Sequence, residues 1–536
     1  MRQLRKMFTF SLHILFGFLV FRFFFQPSGL AVGFRLVILQ GLLLVLVYSH
    51  FTHILRSYGN IFTRIMAMEA MVLGVPLAAA SLYAGGEPAV PFLSVVSLLA
   101  WSFFAYRYWC NTDRYERQGC GPVPVDTCIK IPSELVRPGD AIGTGGAMAK
   151  LLRQGVAHTE CVIPWEGKLM LFSSWFEEGA CLNEVKRILK PDPKYPNYLL
   201  QRRPPLTPEQ ITLMEYVARS MRAQNKLFIE RVKAQRERMP QWQRRLYDKH
   251  FPVTGYDWVG RYSGRRAPDR WTCNVAYLEV MRRSCVDVVR LGHGAAGLRT
   301  GWFDFPNTED LRGDPALHLV RNAEVPGLLA GQTFNDPDQS IPGFAKRLDS
   351  LLTRSSEASD VYGKALTSTI SAEASTVLAS QFAPGTTLRF NKGAVSVGIV
   401  VGHGNERFVF SAHPRYGITL NSVAQVLAQS AQNGLQLTAT APGTPWSDEQ
   451  CQMSLMVAKG MQRQNKVWIV RQQHERVSAS GKLKLPRLVS RLMDKMFLPV
   501  TGYDWLGVVL TRPKMSIFTS KTAVKELVWR MGLTPA

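Results

Sequence analysis

The stretch Arg270-Trp-Thr-Cys273-Asn-Val-Ala-Tyr-Leu-Glu279 sets a cysteine at the head of an apolar helical stretch, and Gly264 and Pro268 keep the approach to it non-helical. At a helix N-terminus the unpaired backbone N–H groups and the positive dipole end favour a charged sulfur, which is the attacking form of the residue. Such a nucleophile needs a base. Val156-Ala-His158-Thr-Glu160-Cys-Val162-Ile163 alternates as a strand does and puts His158, Glu160 and Val162 on one face. Lys168 to Ser173 reads as the next strand, with Pro164 to Gly167 as the turn between them. The remaining cysteines, Cys110, Cys120, Cys128, Cys161, Cys181, Cys285 and Cys451, show no C-x-x-C spacing and are expected as free thiols.

The chain repeats itself. Leu498-Pro-Val-Thr-Gly-Tyr503-Asp504-Trp505-Leu-Gly507 copies Phe251-Pro-Val-Thr-Gly-Tyr256-Asp257-Trp258-Val-Gly260. Asp448-Glu-Gln450 through Arg463-Gln-Asn465-Lys-Val-Trp-Ile469 copies Pro208-Glu-Gln210 through Ala223-Gln-Asn225-Lys-Leu-Phe-Ile229. A duplication of roughly 150 residues follows. Ungapped counting from Gly507 sets Ser520 opposite Cys273, and aligning Glu406 to Ser411 with Lys168 to Ser173 sets Ser396 opposite His158. The second copy has lost both reactive positions while keeping TGYDW, as expected of a nucleophile and its base, because losing one removes the need for the other.

With Arg137-Pro-Gly-Asp140, His158 in its strand, the Tyr256-Asp257 pair, Trp271-Thr-Cys273 on a helix and a trailing Asp310-Leu311 segment, the first copy resembles the permuted papain-like branch of the NlpC/P60 superfamily. That group contains the YiiX/YaeF-like bacterial hydrolases and the lecithin:retinol acyltransferases. The resemblance covers about Ile131 to Val325 and echoes from Pro384 onward. It implies an α+β fold, a small antiparallel sheet packed on the cysteine helix, and thiol attack on an ester, thioester or amide. In that scheme His158 takes the thiol proton, and the Cys273 backbone N–H forms an oxyanion hole with the Tyr256 hydroxyl, unless Tyr256 makes only a structural hydrogen bond. The residue orienting the imidazole falls near Ser173 or Ser174, with Glu160 and Glu177 as charged alternatives, and Asp257 reads as structural. No cofactor or metal is expected.

Four apolar runs, Phe8 to Phe25, Leu30 to Tyr48, Ile61 to Tyr83 and Ala89 to Tyr108, each approach the ~20 residues that cross a hydrocarbon core. Arg2, Arg5, Lys6, Arg56, Arg107, Arg114 and Arg117 flank them so that both termini are expected on the cytoplasmic side. The expected fold class is therefore an α-helical transmembrane region followed by α+β, namely a permuted papain-like (NlpC/P60) domain and a degenerate second copy. The domains are 1–110, four transmembrane helices; 111–330, catalytic; 331–383, a linker rich in small residues; and 384–536, the second copy. The expected location is a bacterial inner membrane, multi-pass, with cytoplasmic soluble domains.

A net charge of +24 on 536 residues fits apposition to membrane lipids, and no zinc-finger, RNA-recognition or basic-heptad spacing points to nucleic acid. From that placement a lipid, acylated or peptide substrate is expected, lipid- or acyl-linked ones first. Two other classes stay open, a catalytically inactive membrane scaffold of two pseudo-domains and a peptidase, amidase or delivered toxin with the same Cys/His chemistry.

Overall fold

A computed structural model describes residues 123, 126–145, 158–175, 177–189, 196–250, 253–257, 269–286, 311, 314, 316–357, 381–391, 394–482, 500–504 and 517–533. Contacts divide the chain into one unit of Met1–Val123 with Ala147–Gly155 and another of Pro124–Gly146 with Val156–Ala536. Of the first unit only Val123 is described, so the architecture below is that of the second.

The first sheet holds strands β1 (Ala141–Thr144), β2 (His158–Trp165), β3 (Lys168–Trp175), β4 (Gly179–Glu184), β5 (Asn197–Arg202) and β6 (Leu317–Leu319). Their order is β4-β3-β2-β1-β5-β6, with every pairing antiparallel. β2 and β3 pair as far as Trp165 opposite Lys168, so Glu166 and Gly167 alone make the turn. Both have positive φ, 50° and 76°, the backbone of a tight two-residue hairpin loop that matches strand twist. The turn is shorter than the four residues read from the sequence, and Pro164 stays in the strand.

Between β4 and β6 come α1 (Lys186–Leu189), α2 (Pro208–Glu237), α3 (Gln241–His250) and α4 (Cys273–Arg283). Helix α2 starts where Thr207 and Gln210 cap each other, Gln210 N–H donating to Thr207 Oγ1 at 3.3 Å and Thr207 N–H to Gln210 Oε1 at 3.1 Å. The second sheet runs β10-β9-β8-β7-β11, built from β7 (Thr387–Phe390), β8 (Val397–His403), β9 (Glu406–His413), β10 (Gly417–Ser422) and β11 (Leu437–Thr440). Its helices are α5 (Phe344–Glu357), α6 (Val423–Gln432), α7 (Asp448–Lys482) and α8 (Ser520–Arg530). Ser447 and Gln450 cap α7 as Thr207 and Gln210 cap α2, at 2.9 and 3.2 Å.

Strand alternation sorts the apolar side chains. Cys161, Ile163 and Phe172 join a core with Met214, Val217 and Met221 of α2 and with Tyr277 and Val280 of α4. Ile142, Val162, Leu171 and Leu199 face the other way, into a second cluster with Leu135 and Ile188. The first core continues without a break into Ile399, Phe410, Met461 and Leu527 of the second copy. Each such side chain contributes about 1.5–3 kcal/mol on full burial, so the two copies stabilise one another through a shared interior.

The repeated sequence motifs correspond to a clamp. Asn225 Oδ1 accepts the Ala180 N–H at 3.0 Å, and its Nδ2 donates to Gly255 O and Asp269 O at 2.8 Å. Asn465 does the same with Ile418 N–H at 3.0 Å and Gly502 O at 2.8 Å. A Cβ on Gly179 would sit 2.4 Å from Asn225 Oδ1, and one on Gly417 2.3 Å from Asn465 Oδ1, which is why the clamp demands glycine there.

The transmembrane part of the expected fold class and the multi-pass inner-membrane location are corrected here: among the described residues no helix is long and apolar enough to cross a membrane. Length is not what is lacking, since α2 has 30 residues and α7 has 35. The exposed Arg219, Arg222, Lys226 and Arg231 on α2, and the exposed Lys459 and Arg463 on α7, make them water-facing and core-packing helices instead. The four apolar runs lie outside the described residues. The observed architecture is two antiparallel sheets, of six and five strands, with helices. Within 331–383, moreover, α5 is a helix packed on α7 and β10, with Gln462 Nε2 donating to the buried Ser355 Oγ at 2.9 Å.

Candidate active site

Cys273 is the first residue of α4, and 8 % of its surface is exposed. Thr272 caps the helix, its side chain accepting the Val275 N–H at 3.4 Å from an extended backbone (φ −83°, ψ 166°). The segment entering the helix is held flat against Tyr256 and Asp257: Tyr256 forms a parallel bridge with Trp271, and Asp257 N–H donates to Trp271 O at 3.2 Å. Ser174 Oγ donates to the same carbonyl at 2.6 Å. These bonds place the cysteine beside the end of β3, and α4 packs across β2 and β3. The thiol lies 3.3 Å from Asn274 Oδ1.

His158 opens β2. Its Nε2 is 3.1 Å from Ser173 Oγ, and that hydroxyl is 2.9 Å from the Thr159 carbonyl. A carbonyl only accepts, so the single proton of Ser173 is committed to Thr159 and the hydroxyl can only accept from His158. The proton of the neutral imidazole is thereby fixed on Nε2, leaving the lone pair on Nδ1. The ring lies against Trp175, centroids 4.2 Å apart and planes tilted by 44°. Burial, reinforced by the positive charge of Arg187, lowers the His158 pKa to about 4, so the ring is neutral at physiological pH.

The other candidates for orienting the ring fall elsewhere. Glu160 Oε1 is 3.9 Å from Nε2, beyond hydrogen-bond length, and accepts instead from Asn183 Nδ2 at 3.3 Å. Burial raises its carboxyl above the ordinary range against the pull of Arg187 and Asn183. Ser174 serves the cysteine segment, and Glu177 is exposed in the turn between β3 and β4. Asp257, buried, has Arg270 Nε at 3.6 Å.

The second copy carries the same frame with different side chains. Ser411 Oγ donates to Val397 O at 2.6 Å, as Ser173 does to Thr159, which places Ser396 at the position of His158. Tyr503 bridges Phe518 and Asp504 N–H donates to Phe518 O at 3.1 Å, which places Ser520, first residue of α8, at the position of Cys273. Ser396 Oγ and Ser520 Oγ are hydrogen bonded at 2.7 Å. In this copy the two positions meet in space. The Tyr503 phenol also receives a hydrogen bond from the Ser520 backbone N–H, which partly offsets the upward push of burial on its pKa.

Sequence reasoning missed Trp175 and Arg187. Trp175 was within reach, two residues beyond Ser173 and so on its face; Arg187 lies past a turn, where no periodicity applies. Among the described residues no group of three or more His, Cys, Asp or Glu is placed to hold a metal ion. Comparison with family models, with curated proteins and with solved structures returned no match to this chain.

Proposed function

We propose that the chain is a cysteine hydrolase or acyltransferase acting on an ester, thioester or amide, with Cys273 as nucleophile and His158 as base. The observation that carries this reading is the contact between Ser396 and Ser520: the positions equivalent to His158 and Cys273 lie within hydrogen-bond distance in a copy built on the same frame. The Nε2–H tautomer set by Ser173 adds to it, because one ring nitrogen is anchored and the other is left to act.

In this reading His158 Nδ1 takes the thiol proton as the sulfur attacks the acyl carbon. The oxyanion is received by the Cys273 backbone N–H and the Tyr256 hydroxyl, a pairing supported by the second copy, where the equivalent Ser520 N–H and Tyr503 phenol are close enough to hydrogen bond to each other. The imidazolium then protonates the leaving group, and water or another acceptor, deprotonated by the same ring, releases the acyl group and regenerates the thiol. The second copy, with two hydroxyls and no base, supports the first through the shared core. The preference for lipid-linked substrates rested on a membrane location and is dropped with it.

A thiol-directed activity probe followed by peptide mapping tests the reading. Cys273 should label ahead of the buried Cys161, Cys181 and Cys285, His158→Ala should suppress that labelling, and Ser520→Ala should leave it unchanged. Labelling of Cys273 no faster than the others would refute it.

A further inference from the structure

Arg187 is exposed on α1, and among the described residues it makes no hydrogen bond or ion pair. Its guanidinium instead rests over the Trp175 ring, 5.1 Å from the centroid. The same indole carries the His158 imidazole at 4.2 Å. A cation on an aromatic face, with its donors turned to solvent, keeps its capacity to bind an anion in a forked geometry. Here it stands one ring away from the base. Glu184, the nearest acid in sequence, is paired with Lys186, and the buried Glu160 carboxyl feels the Arg187 charge without bonding to it.

The second copy supplies a comparison. The matching bonds of Ser173 and Ser411, and the matching clamps at Gly179 and Gly417, set His413 opposite Trp175 and Gln425 opposite Arg187. Trp175 and Arg187 are thus replaced in the copy that has also lost the cysteine and the histidine, where the guanidinium of Arg415 lies instead over Tyr416, 5.4 Å from its centroid, and Tyr416 stacks on His413, while the clamp that holds the frame is kept.

We propose that Arg187, seated on Trp175, is a specificity-determining residue that binds a carboxylate or phosphate group of the substrate beside the acyl bond attacked by Cys273. This rests on the cysteine-hydrolase reading above. The preferred substrate is therefore an anionic acyl compound, and a neutral acyl compound of the same size is a poorer one.

Two alkylating reagents separate charge recognition from thiol reactivity, since iodoacetate is an anion and iodoacetamide is neutral while both displace iodide from the same carbon. With the full chain at low salt, the Cys273 rate ratio of iodoacetate to iodoacetamide should fall about fivefold in Arg187→Gln, the factor given by one unit charge about 4 Å away in water. Arg187→Lys should keep part of the ratio, and because each ratio is taken within one protein, any change in thiol reactivity brought by loss of the Arg187 charge beside His158 cancels between the two reagents. Free carboxylate, added as glutarate, should slow alkylation of the wild type but not of Arg187→Gln. An unchanged ratio in Arg187→Gln, with Cys273 still the fastest thiol, would overturn the anion site alone. Cys273 labelling no faster than Cys161 with either reagent would overturn the hydrolase reading, and the anion site with it.

Discussion

Replacing Ser173 by Ala removes the hydroxyl that accepts from His158 Nε2 at 3.1 Å and donates to Thr159 O at 2.9 Å. Two effects follow. The first is structural: a buried carbonyl loses its partner, which costs about 1–3 kcal/mol of stability. The second is positional: with no acceptor at Nε2 the ring populates both tautomers and turns about its side-chain bonds, so Nδ1 presents its lone pair to the sulfur for less of the time. A hydrogen bond worth about 1–1.5 kcal/mol in the transition state corresponds to roughly tenfold in kcat/KM. The second copy gives an internal control. Ser411 makes the same strand-to-strand bond to Val397 O at 2.6 Å, with no imidazole beside it. Ser411→Ala should cost comparable stability in urea unfolding and leave the rate untouched, whereas Ser173→Ala should slow acyl-ester turnover, or Cys273 alkylation, about tenfold. Ser173→Thr, which keeps a hydroxyl, should recover part of the rate. Equal rates for Ser173→Ala and Ser411→Ala would show that Ser173 does no more than join two strands.

With the His158 pKa lowered from 6.5 to about 4, the base stays neutral as the medium is acidified, so the acid limb of the pH–rate profile should lie near pH 4 rather than 6.5. Between those values the unfolded chain binds the proton and the folded chain does not; His158 therefore contributes a loss of stability as pH falls through that window, and His158→Gln should flatten that part of a urea-midpoint profile. Lys466 is buried against the carbonyls of Tyr416 and Ile418, and burial lowers its pKa from 10.5 to about 7. Its contribution should raise stability as pH rises from 7 toward 10.5, a slope that Lys466→Met should remove. Where the two copies meet, Glu526 pairs with Arg282 and accepts from Arg530 Nε at 2.8 Å, all three buried. Glu526→Gln removes the carboxylate that faces Arg530 and one of the two that face Arg282, the other being Glu279, and should cost about 3–5 kcal/mol in unfolding free energy, with both halves losing structure in one transition.

Much of the positioning frame was legible in the sequence because it depends on local chemistry. Thr207 followed by Pro208 and Gln210 specifies a capped helix start, the alternation around His158 specifies a strand, and the placement of Cys273 specifies a helix head; each involves residues only a few positions apart. The repeat was legible for a related reason. An asparagine that binds three backbone groups, and glycines that leave it room, tolerate little substitution, so QN and TGYDW survive where the reactive pair does not.

What local pattern could not decide was which polar neighbour holds the imidazole. The sequence pointed to Ser173 or Ser174, with Glu160 and Glu177 as charged alternatives, and they were separated by strand register, by the 2.6 Å bond that commits Ser174 to Trp271, and by the 3.9 Å gap at Glu160. Hydropathy read from sequence pointed to membrane spans in 1–110, and no described helix is of that kind; long helices such as α2 and α7 owe their apolar stripes to a core shared by the two copies. Arg187 is the sharpest case. Nothing in its neighbours along the chain marks it, because its meaning comes from a tryptophan on another element and a histidine on a third, brought together only when the sheet closes and the turn after β4 folds back.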